Sequence, residues 1–308
     1  MDILVIGGNR YFGKRLIANL RDSGHRVTVL NRGSSPAAFP GDAGIERLTA
    51  DRDDESALES VLAGRSFDVV VDQVCYTPRQ AVVARRVFAG RTRRYVMTST
   101  VEVYGYEDSA TPVTEDAVDL ASVAVDTELP WDEPEFRDAH YGEGKRQAEA
   151  VFAADGSPFA WTSVRVAHVL GGADDFTGRL DHYVRRIGAG EPIAVPAVNH
   201  PATYVYVEEI AAFLAWAATA DFTGPVNANS HGPLTTADLC AEIGRQVGGG
   251  RVAFREVEVG EVSPFSFARS YGMDNGRAER LGYAFGHTGE WLARAVAETV
   301  GARNAEAR

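Results

Sequence analysis

Lysine is nearly absent from this chain. Of 31 basic residues among 308, two are lysine, Lys14 and Lys145, and the remaining 29 are arginine. Arginine stays charged in proteins, so almost every basic position is closed to chemistry that needs an ammonium of tunable pKa. Cysteine is equally scarce. Cys75 and Cys240 have no Cys or His partners at metal-ligand spacing, which excludes a structural zinc site and a disulfide framework and fits a reducing compartment. No metal site is expected. No apolar run reaches the ~18 residues of a membrane span, and the longest, 210–220, is rich in alanine and reads as a core helix. No basic, leader-like segment precedes the first apolar strand, so a cytoplasmic location is expected.

An excess of positive charge is missing too. The net charge is -12. Between Glu102 and Glu143 stand 13 acidic residues and one basic residue, Arg137, so the rest of the chain balances to zero. Phosphate binding needs a positive footprint, so nucleic acid is not expected as a main partner. The one basic cluster, Arg85, Arg86, Arg91, Arg93 and Arg94, falls on a helix and turn leading into a strand, where solvated arginines are common. The stretch 107–139 lacks steady periodicity and reads as a long acidic surface excursion.

Elsewhere the apolar pattern alternates. Strands are predicted at 3–6, 26–30, 47–49, 67–72, 94–99 and 159–166, with helices at 11–23, 55–63, 78–89 and 141–154. Near-continuous apolar strands alternating with helices give a parallel sheet covered on both faces, a Rossmann-type doubly wound α/β fold. Past about 170 the rhythm loosens, with helices at 180–187, 208–219, 236–247, 275–281 and 288–300. The expected organisation is a dinucleotide-binding domain over 1–169, to which 201–230 returns. A smaller, interleaved C-terminal α/β substrate lobe takes most of 170–308.

The run Gly7-Gly8-Asn9-Arg10-Tyr11-Phe12-Gly13 directly follows the first strand and opens a helix. Glycines there let the backbone approach a pyrophosphate, and the helix N-terminus offers N–H groups and a positive dipole end. At the end of the second strand, where an acidic residue would bind the ribose hydroxyls of NAD, the chain carries Asn31 and then Arg32. With Arg10, these guanidinium groups suit a 2′-phosphate, which favours NADP. A solvent-facing Arg32 would leave NAD open. Asp51, after the third strand, is placed to accept from the adenine amine, with Arg52 beside it.

Tyr141 and Lys145, four apart, share a helix face. With 11 tyrosines and two lysines, chance supplies such a pair in roughly 0.07 of chains of this composition. A nearby ammonium favours the phenolate, so the tyrosine can give or take a proton as hydride moves at the adjoining carbon. Hydroxyl residues Ser99 and Thr100 end the strand at 94–99, at the edge where α/β enzymes place their sites. Glu102, just past it, is a base or a cap of the following turn.

These segments together resemble an extended, atypical short-chain dehydrogenase/reductase of the NAD-dependent epimerase/dehydratase group, over nearly the whole length. The matching pieces are GGNRYFG at 7–13, ADRDD at 50–54, TSTVEVYG at 98–105, YGEGK at 141–145, YVYVEEIAAF at 204–213 and DNGRAERLGY at 274–283. The glycine turn and the Asn-Arg-Gly ending also resemble atypical members that include a chloroplast RNA-binding branch. The resemblance implies that Thr100 takes the place of the catalytic Ser/Thr with Ser99 beside it. It makes Tyr141 and Lys145 the acid/base pair, with Lys145 also holding the nicotinamide ribose, and it implies a homodimer. Three departures matter, one being an acidic stretch between Thr100 and Tyr141 that is longer than in the simplest members. The Thr-Asp-Glu run of sugar-nucleotide dehydratases is Thr100-Val101-Glu102 here, and the Arg that grips a diphosphate before the YVYVEE segment is missing from His200-Pro201-Ala202-Thr203. Arg179, Arg185 or Arg269 would have to replace that grip. The expected function is an NADP-preferring oxidoreductase or epimerase acting at a hydroxyl or carbonyl carbon of a sugar-like metabolite. The alternatives are a sugar-nucleotide dehydratase or epimerase that uses Glu102 with a transiently reduced cofactor, and an inactive RNA-binding or regulatory member.

Overall fold

The computed structural model describes residues 1–34, 38–105, 112–248 and 251–306, without the side chains of residues 259 and 306. Strands β1 (Asp2–Ile6), β2 (Arg26–Asn31), β3 (Ile45–Thr49), β4 (Phe67–Asp72), β5 (Thr92–Thr100), β6 (Ala160–Val166) and a later β10 (Gly224–Ala228) form one sheet in the order β10-β6-β5-β4-β1-β2-β3. The pairs β1–β2, β1–β4, β2–β3, β4–β5 and β5–β6 are all parallel. The doubly wound fold expected from the alternating pattern is therefore the fold observed. β1 lies between β2 and β4, so the chain order reverses at its C-terminal end, the crevice where such sheets bind ligands.

The sequence makes these elements in local ways. Ile3, Leu4 and Val5 are fully buried, as a strand covered on both faces requires. The connecting helices are α1 (Tyr11–Asp22), α2 (Glu55–Val61), α3 (Pro78–Phe88) and, beyond the acidic stretch, α4 (Pro134–Ala139) and α5 (Tyr141–Ala153). Asp54 caps α2 by accepting from Ala57 N at 3.0 Å. Thr77 caps α3 by accepting from Gln80 N at 3.2 Å, with Pro78 at the first helical position. Leu58, Ala84, Phe88, Tyr95 and Phe152 pack into one core against the sheet.

The acidic stretch is less of a surface excursion than its composition suggests. Residues 107–111 lie outside the described residues. In the remainder most carboxylates are exposed, but Glu115, Val118 and Trp131 are buried and pin the segment to the fold. A charge count does not see three inward side chains.

Contacts divide the chain into two compact units. One comprises Met1–Tyr106, Glu115–Val166 and Ala211–Asn227 and holds the large sheet. The other is built mainly from Ala167–Ile210 and Ala228–Arg308. Within it β7 (His168–Leu170) pairs with β9 (Tyr204–Tyr206), and β8 (Ile193–Val195) pairs with β11 (Phe254–Glu256). Helices α6 (Arg179–Gly188), α8 (Thr236–Val247) and α10 (Thr288–Glu306) pack together there. Helices α7 (Val207–Thr219) and α9 (Gly276–Arg280) complete the chain.

Candidate active site

The glycine turn sits at the reversal of strand order. Gly7 and Gly8 adopt φ of +86° and +85°, which a side chain would strain. Gly7 N donates to Leu30 O at 2.8 Å, tying the turn to the end of β2. A Cβ on Gly13 would lie 2.7 Å from Gly8 Cα and against the Gln73 carboxamide, so only glycine lets α1 start this close to β1. Tyr11 opens α1 at a positive φ of 52°, with its ring buried. No side chain caps this N-terminus. Strained backbone, close-packed glycines and an uncapped helix start form a cradle that fits a dinucleotide diphosphate.

The other expected cofactor residues are distributed around that cradle. Asn9 Oδ1 accepts from Ala38 N at 3.3 Å, while Arg10 is exposed and Phe12 half-buried. Asn31 Oδ1 accepts from Gly33 N at 3.0 Å, and the exposed Arg32 donates through Nε to Ser34 Oγ at 3.0 Å. Asp51 is exposed and accepts from Asp53 N at 3.0 Å; Ala50 N donates to Asn31 O at 3.1 Å, which brings the β2 and β3 ends side by side.

Arg52 turns inward. Its Nη2 pairs with the fully buried Asp72, which also accepts from Tyr95 Oη at 2.5 Å and from Val74 N at 2.9 Å. Burial opposes the Arg52 charge, but the facing Asp72 carboxylate and its smaller negative neighbours override it and raise the pKa. Arg52 Nε and Nη1 and Gln73 Nε2 are buried without a partner among the described residues.

The tyrosine–lysine pair occupies the start of α5. Tyr141 is its first residue and is half-buried; Lys145 is 1% exposed. Lys145 Nζ donates to Thr98 O at 2.7 Å and stands 4.5 Å from the Tyr76 ring centroid and 5.8 Å from that of Tyr141. The two rings are 6.1 Å apart. Burial lowers Lys145 to about 8; nearby Cys75 and Asp72 push it up, and Arg52 pushes it down. The glycines of YGEGK are explained by contact. A Cβ on Gly142 would lie 3.0 Å from the Glu102 carbonyl carbon, and one on Gly144 would lie 2.6 Å from Tyr76 O.

Thr100, Glu102 and Tyr141 thus belong to one patch. Thr100 Oγ1 accepts from Glu102 N at 3.2 Å and caps a 3₁₀ turn, Val101–Tyr104, whose Glu102 backbone supports the first turn of α5. Ser99 points elsewhere. Its hydroxyl donates to Glu149, which forms a fully buried ion pair with Arg165 at 2.7 Å. Arg165 Nη1 also donates to Tyr104 Oη and Glu115 O, both at 2.9 Å.

Sequence reasoning did not single out Tyr76, Gln73, Asp72, Glu149 or Arg165. The available signals were an Asp ending a buried strand and a Glu four residues past Lys145 on the same helix face.

The second unit carries its own cluster. His168 stacks on Phe267 at 4.9 Å and lies 5.2 Å from Tyr271 and 5.9 Å from Tyr204 and Phe265. Arg179 lies 5.2 Å over Phe265 and Arg269 4.3 Å over Tyr271, whereas Arg185 is exposed on α6. Burial first, then Arg179 and Arg269, push His168 down to about 3. His168 Nε2 and Tyr204 Oη are buried without a partner among the described residues. Among the described residues no helix is long and apolar enough to cross a membrane, and no group of three or more His, Cys, Asp or Glu could hold a metal ion.

Comparison with known proteins agrees with this architecture. Over 98% of the chain, the structure superposes on a UDP-glucose 4-epimerase of Thermotoga maritima crystallised with UDP-glucose (99% of that chain, TM-score 0.76, 18% identity). It superposes over 98% of the chain on a dTDP-glucose 4,6-dehydratase of Bacillus anthracis in complex with NAD (97% of that chain, TM-score 0.76, 14% identity). In sequence it is 30% identical, over 207 residues, to the chloroplast stem-loop binding protein of 41 kDa b of Arabidopsis thaliana. That match spans 63% of this chain and 48% of the relative, so the chain covers about half the relative's length. The model of the NAD dependent epimerase/dehydratase family matches residues 3–229. Since that match takes in well over half of the chain, the protein belongs to the NAD dependent epimerase/dehydratase family.

Proposed function

We propose that this protein is an enzyme that binds a nicotinamide dinucleotide in the Gly7–Gly13 cradle and acts at a hydroxyl or carbonyl carbon of a sugar-like, nucleotide-linked substrate. The observation that carries this reading is Lys145. One of only two lysines in the chain is buried beside Tyr141 with no carboxylate paired to it among the described residues. The nicotinamide supplies a hydride donor or acceptor when bound. The chain's own part is to move the proton. Tyr141 gives it to, or takes it from, the substrate oxygen. Lys145 supplies the positive charge that favours the phenolate. Thr100 orients the same oxygen, and Glu102 is the base if a proton next to the carbonyl is removed.

Arg32 with Arg10 favours NADP; the solved relatives complexed with NAD keep NAD as the rival. In the second unit, the His168 aromatic cluster with Arg179 and Arg269 supplies the stacking faces and cations a nucleotide diphosphate needs. The stem-loop binding relative supports a second reading, RNA binding, which the net charge of -12 opposes. Calorimetric titration with NADPH and NADH, after a check for retained cofactor, tests the proposal. Tight NADPH binding supports an exchangeable reductase, and tightly retained NAD supports an epimerase-like cycle. Binding of neither cofactor, with a salt-dependent RNA shift, overturns the enzyme reading.

A further inference from the structure

We propose that Tyr76 is a positioning residue of the proton-transfer pair: its ring seats the Lys145 ammonium and so fixes the charge that Tyr141 feels. This rests on the reading of Tyr141 and Lys145 given above. The ammonium is closer to the Tyr76 ring, at 4.5 Å, than to the Tyr141 ring, at 5.8 Å. Both distances are within cation–π range, and the attraction is strongest where the cation is desolvated, as Lys145 is.

The Tyr76 backbone is held from several sides, and its ring lies 6.1 Å from that of Tyr141. Tyr76 N donates to Gln80 Oε1 at 2.6 Å, and Gln80 Nε2 donates to Asp53 Oδ1 at 2.6 Å. The Tyr76 carbonyl lies against Gly144 of α5, where the Trp131 indole also packs. Arg79, three residues on, donates to the carbonyls of Thr127 at 3.0 Å and Leu129 at 3.3 Å, which fastens the acidic stretch over the same loop. The Tyr76 backbone is therefore fixed against the start of α5, which carries Lys145. The Tyr76 hydroxyl makes no hydrogen bond among the described residues, so the ring face is the part in use. The other groups that bear on Lys145 are Asp72, Cys75, Arg52 and Glu149, and none pairs with it; among the described residues its one hydrogen bond goes to Thr98 O. With burial drawing the ammonium down to about 8, loss of the ring face would let the charge leave more readily.

The test reads Tyr141 directly, by tyrosinate difference absorbance against pH in the full chain. Each variant is compared with its own Tyr141→Phe version, which isolates the Tyr141 midpoint. Position 76 carries tyrosine, phenylalanine, or phenylalanine with one, two or three ring fluorines. The fluorines keep the ring's shape while weakening the negative charge of its face. Tyr76→Phe should leave the midpoint within about 0.2 pH unit, and the trifluorinated ring should raise it by about one unit, stepwise with fluorine number. A ring that served only as packing would not follow the fluorine count. A midpoint that holds still along the series overturns the role of Tyr76 and leaves the acid–base pair standing. If the unsubstituted chain shows no Tyr141 ionisation below about pH 9, the acid–base reading fails and this proposal fails with it.

Discussion

Two buried cations at helix α5, Lys145 on it and Arg165 paired to it, stand in opposite states. Arg165 is fully buried and meets Glu149, Tyr104 and the Glu115 carbonyl with nearly all its donors. Lys145, one turn before Glu149, is as buried, yet it has one carbonyl and two aromatic rings around it. The consequences run in opposite directions. Burial opposes the charge on Arg165, but Glu149 overrides it and raises the pKa. Among the described residues Lys145 has no such partner, and burial lowers it to about 8. The paired cation joins β5, β6 and α5 into a rigid corner. The unpaired one keeps a proton that responds to its surroundings. The lysine proposed to act in catalysis thus differs from the structural arginine by what surrounds it among the described residues.

Two changes separate these roles most strongly. Tyr141→Phe should cost on the order of 10²–10⁴ in turnover while cofactor affinity and melting temperature hold, because the proposed proton-transfer group is lost and little packing changes. Steady-state rates beside calorimetry would show it; unchanged turnover would remove Tyr141 from the chemistry. Glu149→Gln should do the reverse to the fold. It leaves the buried Arg165 guanidinium uncompensated, at a cost of about 3–5 kcal/mol by denaturant unfolding. Stability within 1 kcal/mol of the parent, roughly the size of a surface pair, would show that the corner is not held as described.

The lysine also carries a pH signature. Burial lowers it to about 8 from an ordinary 10.5. Below pH 8 it is charged both folded and unfolded, and the fold bears the full cost of burying that charge. Between pH 8 and 10.5 the unfolded chain binds the proton and the folded one does not, so stability rises with pH. The total is roughly 3 kcal/mol from the size of the shift. Lys145→Met lacks this rise, so the stability difference between parent and variant should grow in the parent's favour across that window. A flat difference would mean that Lys145 keeps its ordinary proton affinity when folded.

The fold was legible because parallel strands buried on both faces leave an unbroken apolar trace, as at residues 3–6 and 67–72. Glycine placement was legible too: Gly7, Gly8 and Gly13 stand where the backbone must come close, and the sequence shows them directly. The Tyr141–Lys145 pairing follows from helical spacing alone. What was hidden depends on loops and on inward side chains. Tyr76 follows a strand end with no periodic signal, and reaches Lys145 only because β4 and β5 are neighbours. Arg52 stands next to the exposed Asp51, yet its side chain goes to Asp72, twenty residues away in sequence. Ser99 and Thr100 look interchangeable as strand-end hydroxyls. Strand alternation sends Ser99 to Glu149 and leaves Thr100 at the turn beneath α5.

The smallest expected effect lies at the rim of the cradle and sharpens the same contrast between free and engaged cations. Arg32 is exposed, and its Nε rests on Ser34 Oγ at 3.0 Å rather than on a carboxylate. Among the described residues no carboxylate holds Arg32 back from a 2′-phosphate, whereas Arg52 is held by Asp72. Arg32→Ala should therefore weaken NADPH by about tenfold, near 1.4 kcal/mol, and leave NADH within about twofold. Calorimetric titration of both cofactors against both proteins reads the ratio. Equal weakening of the two would place Arg32 outside the recognition of the 2′-phosphate, and the proposed preference for NADP would lose its basis, since Asn31 is already engaged with Gly33 N.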